Sequence, residues 1–434
     1  MKKNNLILIE LNEINFDIVK KYLNLYPDKF TTLHKLENLN KVCTTSEEIY
    51  ENLEPWIQWT SVHTGKTFDE HKVFRLGDIS NSNNLQIFET LEQRGYSIGC
   101  VSPMNVRNSL NSPLYFIPDP WTITPSDNSW WSKKISNAIS ESVNDNSKNK
   151  FKVKNLIILM IAILRFAQFK NYFQYFKLFI QSFYGKWRKA IFLDLFLHDL
   201  HLLLYKKKSP NFSTIFFNAG AHIQHHYFFN SLVLKKELAL ENPNWYVGKN
   251  QDPLYELLIK YDSIIKDYLE LKNTEIIIAT GLSQIPYDTI KFYYRLKNHK
   301  SFLQSWNIKL KSVQTLMTRD FIIEFESSTD ALNAQEILKS LKIDDKVPMF
   351  NVIDNRGKSI FITFSYPKEI NSNTIYGNDE KKKSLYQEVA FVAIKNGMHN
   401  GKGYVYHTKL TSEFKLENNS HVKNLNFMID KYFN

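Results

Sequence analysis

The sequence predicts an α/β protein built on a doubly wound, mostly parallel sheet with two insertions. Three observations carry this prediction. Short continuous apolar runs ("NLILIEL", "STIFFNAG", "EIIIATG") have the length and β-branched, aromatic character of strands buried on both faces. Longer amphipathic patterns separate them, as a parallel sheet requires of its crossover helices. Polar residues cluster just after the apolar runs, and in such sheets ligands sit outside the carboxyl ends of the strands.

Taken in order, "MKKNNLILIELNE" starts basic, but Glu10 breaks its apolar run, so it reads as a first strand and not as a signal peptide. The helical pattern "FDIVKKYLNLY" follows. "NLQIFETLEQRGYSIGCVSP" reads as helix, glycine turn and strand; "STIFFNAG" is the next buried strand. "DPLYELLIKYDSIIKDYLELKNTEIIIATG" gives a long amphipathic helix, a turn and a further buried strand, and "GKGYVYHTKL" a late one. Two stretches interrupt the alternation. Residues 129–209 are helical, aromatic and basic, as in "FKNYFQYFKLFIQSFYGKWRK", and are expected to form a cap on the sheet. The same mix of rings and cations also suits peripheral contact with a membrane surface. Residues 310–367 read strand, helix, strand, turn, strand, a small α+β insertion of ferredoxin-like pattern. The expected core is then 1–128, 210–309 and 368–434.

With 434 residues, 43% of them hydrophobic, the chain can bury a large core, and only 13 glycines and 13 prolines exclude collagen-like or low-complexity classes. The net charge of +11 points to an anionic partner, namely a phosphorylated substrate, a membrane surface or nucleic acid, although biased base composition gives the same excess. No nucleotide cofactor and no specific nucleic-acid partner is indicated. Cys43 and Cys100 provide neither a disulfide framework nor thiolate-metal spacing, which suits a reducing, cytoplasmic compartment. The longest apolar run, Leu156–Leu164, is about half of a bilayer span.

The stretch "FNAGAHIQHHYFF" places His222, His225 and His226 within five positions. Spacings of three and four put such side chains near one helix face, a common metal-ligand arrangement. Histidines beside aromatics are also often hydrogen-bonded groups at the edge of a core, and the spacing by itself leaves both readings open. His198 and His201, in the helical insertion, are expected on a helix face and not at a metal.

Five loops carry the unusual residues: "LNEINFD" after the first strand, "EPWIQWTSVHTGKTFDEHKV", the histidine stretch, "TGLSQIP" and "GMHNGKGYV". In this order they resemble the alkaline phosphatase superfamily, above all its type I phosphodiesterase and nucleotide pyrophosphatase branch. The resemblance implies a doubly wound sheet with two metal sites, usually zinc, between strand ends. Asp17 matches the aspartate that opens the first helix, while Asn12 occupies the position of a ligand aspartate. Thr64, Gly65 and His71 match the end of the nucleophile loop. His225 falls on a ligand histidine, with Ala221 in place of the aspartate four residues before it. Gly281 and Leu282 stand where two further ligands belong, and His399 matches the last ligand histidine.

One of the two implied sites therefore cannot be rebuilt, since Gly281 and Leu282 offer no side-chain ligand. The other keeps His225 and His399, with His222 (or His226) the expected replacement for the carboxylate, giving at most one zinc. The family's nucleophile falls near Pro55, which cannot attack. Glu54 beside it is expected to act as acid–base catalyst, with Glu13 as a partner carboxylate or, alternatively, as a cap of the following helix. His63 and His71 are candidates near the leaving group, and Asn12, Trp56, Gln58 and Gln284 candidates for binding substrate; core packing is the expectation for one of Trp56 and Trp59. The resemblance implies a hydrolase or transferase acting on a phosphate ester or phosphodiester of a sugar, nucleotide or lipid-linked glycan. The alternatives are a binding protein on the same fold and a metal-independent glycan-active enzyme.

Overall fold

A computed structural model of the chain describes residues 4–146, 153–316, 319–408 and 416–434. Parts of two expected features, residues 147–152 of the helical insertion and 317–318 of the small one, lie outside these, as do Lys409 and Leu410 of the late strand. The chain divides into two compact units, Met1–Pro286 with Gly397–Asn434, and Tyr287–Asn396.

The first unit holds an eight-stranded sheet. Its strands run, from edge to edge, Ser420–His421, Asn40–Thr45, Gly403–His407, Thr274–Ala279, Asn5–Leu11, Phe212–Phe217, Ile98–Val101 and Tyr115–Ile117. The five from Thr274–Ala279 to Tyr115–Ile117 are mutually parallel. Gly403–His407 runs antiparallel to both of its neighbours. The first strand shows why its apolar run is continuous. Ile7, Ile9 and Leu11 enter one hydrophobic cluster and Leu6 and Leu8 another, so both faces are covered and the sheet is doubly wound.

Local chemistry fixes the helices around it. Asn15 caps helix Phe16–Leu25, its side chain accepting from the amides of Asp17 and Ile18. Helix Pro55–Thr64 starts on a proline and stops at Gly65, whose φ of 70° lies in the left-handed region. Helix Arg188–Lys208 packs on strand Phe212–Phe217 and on helix Pro253–Leu269, and its apolar residues belong to the same cluster as the sheet. The helical segment 129–209 is accordingly part of the first unit. His198 and His201 lie on this central helix and are buried.

His201 bridges two hydroxyls, Tyr268 at 2.9 Å and Ser213 at 2.7 Å. Burial, with His198 nearby, pushes its pKa down to about 3, so it folds as the neutral ring. Its contribution to stability is complete above the unfolded pKa of about 6.5 and is lost as pH falls from there towards the folded value. The stability gap between the wild type and His201→Gln, taken from urea midpoints, should therefore shrink between pH 6.5 and 4.5. The slope should be up to about 1 kcal/mol per pH unit, and a gap constant across that range would contradict the assignment.

The second unit contains the expected segment 310–367 and continues on both sides. An antiparallel sheet of order Phe350–Asn355, Ser359–Phe364, Asp320–Glu324 and Ser312–Thr315 accompanies helix Ser328–Ser340, which Ser327 caps. The long strands Ser283–Leu296 and Val389–Asn400 pair as a two-stranded sheet. Among the described residues no helix is long and apolar enough to cross a membrane.

Candidate metal centre

Three side chains from three separate segments meet at the carboxyl ends of the parallel strands. Glu13 follows the first strand, His225 sits on helix Ala219–Tyr227 after strand Phe212–Phe217, and His399 lies near the end of strand Val389–Asn400. Glu13 Oε2 is 3.2 Å from His225 Nε2 and 3.2 Å from His399 Nε2. The two Nε2 atoms are 3.3 Å apart. Among the described residues, this is the group of three or more His, Cys, Asp or Glu whose ligand atoms come within reach of a single ion.

The carboxylate is held in place from several sides. Glu13 has a φ of 62°, a left-handed conformation that costs a non-glycine residue on the order of 1 kcal/mol. Its amide donates to Thr280 O at 3.1 Å and its carbonyl accepts from Gln224 Nε2 at 2.7 Å, which lock that geometry. Asn12 Nδ2 donates to Oε1 at 3.1 Å, and Gln284 Nε2 donates to Oε2. Burial drives the carboxyl pKa up, but positive charge and hydrogen bonds at His399 and His225 outweigh it and hold Glu13 well below the ordinary carboxylate range. The cap role open to Glu13 in the sequence belongs instead to Asn15, which leaves the Glu13 side chain for the histidines.

Each histidine turns its other nitrogen to an acceptor. His225 Nδ1 faces Gly397 O at 3.2 Å, and His399 Nδ1 faces Glu54 Oε2 at 3.6 Å. A proton on each Nδ1 leaves both Nε2 lone pairs aimed at each other and at the carboxylate oxygen. Three electron-rich atoms about 3 Å apart need a cation between them, whether protons or a metal. Ligands about 2.0–2.1 Å from a tetrahedral zinc lie roughly 3.3 Å apart, so the residues present fit one such ion with an open fourth position. The outward partners of the two imidazoles are those that commonly orient metal-bound histidine.

Supporting residues explain why the loops converge. Asp194, on the central helix, accepts from the amides of Asn218 and Ala219 at 3.2 and 2.9 Å and from Tyr261, fixing the start of the histidine helix. Burial raises its pKa to about 7. Gln224 accepts from Asn15 N at 3.0 Å while donating to Glu13 O, joining the first loop to the histidine helix. Gly397 must be glycine: a Cβ there would stand 2.3 Å from Gln284 Oε1 and 2.7 Å from Gln224 O. Gln224, Asp194 and Gly397 were not among the sequence candidates. Asp194 is visible only as a polar residue in an otherwise apolar stretch, Gln224 lies among the histidines, and Gly397 opens the loop "GMHNGKGYV".

Of the expected site residues, Glu13, Glu54, Asn12, Gln284, His225 and His399 come together. His222 does not join them; its ring lies tilted against that of His226, with centroids 5.0 Å apart, and Glu13 supplies the third ligand atom instead. On a helix His225 lies about 60° around from His222, enough to turn one towards the strand ends and not the other. His63 and His71 bond elsewhere. His63 Nε2 is 3.1 Å from the buried Glu10, and His71 spans Ser61 Oγ at 3.2 Å and Val73 N at 3.0 Å, with burial lowering its pKa to about 4. Gln58 donates to Asn52 O at 2.9 Å and Trp56 to Phe74 O at 3.0 Å. Asp17 takes the Lys402 ammonium and the Tyr404 hydroxyl.

The positions of the other implied site are filled. Trp59, fully buried, donates to Asn12 Oδ1 at 2.8 Å, and Asn12 Nδ2 reaches Asn218 Oδ1 at 2.9 Å. Leu282 is buried, and a Cβ on Gly281 would lie 3.1 Å from the Trp59 indole.

No protein-family model and no curated protein matches the sequence. Similar solved structures include phosphonoacetate hydrolase from Sinorhizobium meliloti 1021, at 10% identity and a TM-score of 0.46, covering 100% of this chain and 96% of that one. Human ectonucleotide pyrophosphatase/phosphodiesterase 5 aligns at 10% identity and a TM-score of 0.40, covering 99% and 94%. Alkaline phosphatase from the Antarctic bacterium TAB5 aligns at 11% identity and a TM-score of 0.42, covering 100% of each chain.

Proposed function

We propose that the chain is a divergent alkaline phosphatase-superfamily hydrolase acting on a phosphate ester or phosphodiester, with one divalent cation held by Glu13, His225 and His399. The observation that carries this is the triangle of Glu13 Oε2, His225 Nε2 and His399 Nε2, with sides of 3.2, 3.2 and 3.3 Å. Zinc suits two imidazoles and a carboxylate, and when bound it supplies Lewis acidity towards a phosphoryl oxygen and a lowered pKa for water. The excess of basic residues favours an anionic substrate, and a sugar, nucleotide or lipid-linked glycan phosphate fits that description.

Glu13 takes over the carboxylate that Ala221 lacks, from a different loop. Gln284 and Asn12 orient it by donating to its two oxygens. Glu54 stands at the N-cap position of helix Pro55–Thr64 without a side-chain cap bond and is about one-third exposed, with its carboxylate towards His399. The 3.6 Å separation from His399 Nδ1 supports a positioning role for Glu54, in which its carboxylate draws the His399 proton towards Nδ1. Glu54→Gln retains an acceptor oxygen, so turnover should stay within about five-fold of wild type, while Glu54→Ala should lose about 10- to 100-fold together with metal affinity. Equal, complete loss in both variants, with metal retained, would instead make Glu54 the acid–base group.

The defining experiment is metal analysis of protein purified without chelators or a histidine tag, paired with a panel of phosphate monoesters and diesters. We expect about one equivalent of zinc and poor turnover of simple aryl phosphates, because a second ion to stabilise the leaving oxygen has no ligands. Two equivalents with robust aryl-phosphatase activity would overturn this. A binding protein on the same fold is the second reading, favoured by Asn12, Gly281 and Leu282 at ligand positions. Zinc-loaded protein that binds phosphate but turns over nothing in the panel would support it.

A further inference from the structure

We propose that helices Val153–Phe166 and Tyr172–Gln181, with the turn between them, form a docking surface for an anionic lipid bilayer. From Val153 to Leu193 the sequence carries seven lysines and arginines and no acidic residue. Both helices pack on the central helix Arg188–Lys208, and the sides turned away from it are apolar. Phe169, Phe173 and Phe183 are 87%, 73% and 71% exposed, and Leu164, Phe176 and Tyr184 are also largely exposed. Single exposed apolar residues are ordinary; this many on consecutive elements marks a surface that is covered in use.

The turn that carries Phe169 and leads into the helix bearing Phe173 is held by specific bonds. The buried Asp199 carboxylate accepts from Gln168 N at 3.1 Å, Gln168 Nε2 at 2.9 Å, Asn171 Nδ2 at 2.8 Å and Tyr175 OH at 2.8 Å. Tyr172 OH donates to Leu164 O at 2.9 Å, joining the end of one helix to the start of the next. Lys170 is paired with Asp267 at 2.8 Å while its neighbour Phe169 points to solvent. A buried charge has thus been satisfied by four donors in an arrangement that presents aromatic rings outward. Water gives no reason for that arrangement; an apolar phase does.

Charge selects the partner. Lys170 and Arg188 are neutralised by Asp267 and Glu256. Lys154, Lys177, Lys186 and Lys189 are exposed, and no acidic residue of the segment answers them. Aromatic side chains interleaved with lysines match the headgroup region of an anionic leaflet, where rings enter the acyl boundary and ammonium groups meet phosphate. A second copy of this chain would bring the same positive charge against it.

The test uses the full chain and co-sedimentation with vesicles of phosphatidylcholine alone or with one-third phosphatidylglycerol. We expect binding to the anionic vesicles, weaker at high salt, and little to the neutral ones. Phe169→Ser combined with Phe173→Ser and Phe183→Ser should lower partitioning about 100-fold, as each ring contributes independent apolar burial. Replacing Lys154, Lys177, Lys186 and Lys189 by Gln, which leaves the apolar face intact, should lower it about 10-fold or more and flatten the salt dependence. Circular dichroism and melting temperature should be unchanged in both. No binding to anionic vesicles, or binding that neither variant affects, overturns the proposal. So does a concentration-dependent dimer, seen by sedimentation velocity without lipid, that the phenylalanine variant abolishes.

Discussion

Glu13→Gln is expected to reduce bound zinc from about one equivalent to none, with affinity falling about 100-fold or more. The substitution keeps the shape and the bond accepted from Asn12 Nδ2, while its amide nitrogen would face the Gln284 Nε2 donor. What it removes is the negative charge between two imidazoles whose Nε2 atoms stand 3.2 Å away. With both Nδ1 atoms turned to acceptors, two neutral nitrogens and an amide remain, too weak a set for a tight site. Metal content after dialysis and calorimetric titration with zinc measure this without reference to any substrate. His399→Ala should behave alike, because one ligand of three is lost. Retention of a full equivalent by Glu13→Gln would mean the ion, if any, is held elsewhere.

Trp59→Ala should cost about 3–5 kcal/mol, the range for removing a large aromatic from a packed core. Trp59 is fully buried on helix Pro55–Thr64, lies 6.2 Å edge-on to Phe216 and fills the space beside Gly281. It also holds Asn12, which in turn touches Glu13, so the variant should weaken zinc binding as well as lower the urea midpoint. Trp59→Phe separates the two effects. Most of the packing survives, but Asn12 Oδ1 loses its donor in a buried setting, for about 1–3 kcal/mol. A Trp59→Ala variant within about 1 kcal/mol of wild type would show that the indole is not the anchor of this loop.

Several features of the site were legible before any coordinates. The apolar runs defined the strands because a parallel strand covered on both faces needs no polar alternation, and "LILIEL", "TIFFN" and "EIIIA" are of that kind. Strand order then places the residues after them at one sheet edge, which is why Glu13, His225 and Gln284 could be named as candidates. His399 could be named from its place in the resemblance. The third ligand could not be fixed. His222 and His225 look equivalent by spacing, and Glu13 looks like a helix cap, until the turn of the helix and the left-handed backbone at Glu13 are known. His63 and His71 misled for a related reason: a histidine in a loop near the site bonds to whatever burial puts beside it, here Glu10 and Ser61.

By itself the sequence determined the alternation of strand and helix, the positive charge, the acid-free aromatic segment and the absence of side-chain ligands at Gly281 and Leu282, since each depends only on residue type and local periodicity. Tertiary structure alone decided which carboxylate meets the histidines, that Trp59 fills the second site, and that Asp199 holds Phe169 outward. Those outcomes depend on directions in space set by packing between segments up to several hundred residues apart, and local sequence does not encode such directions.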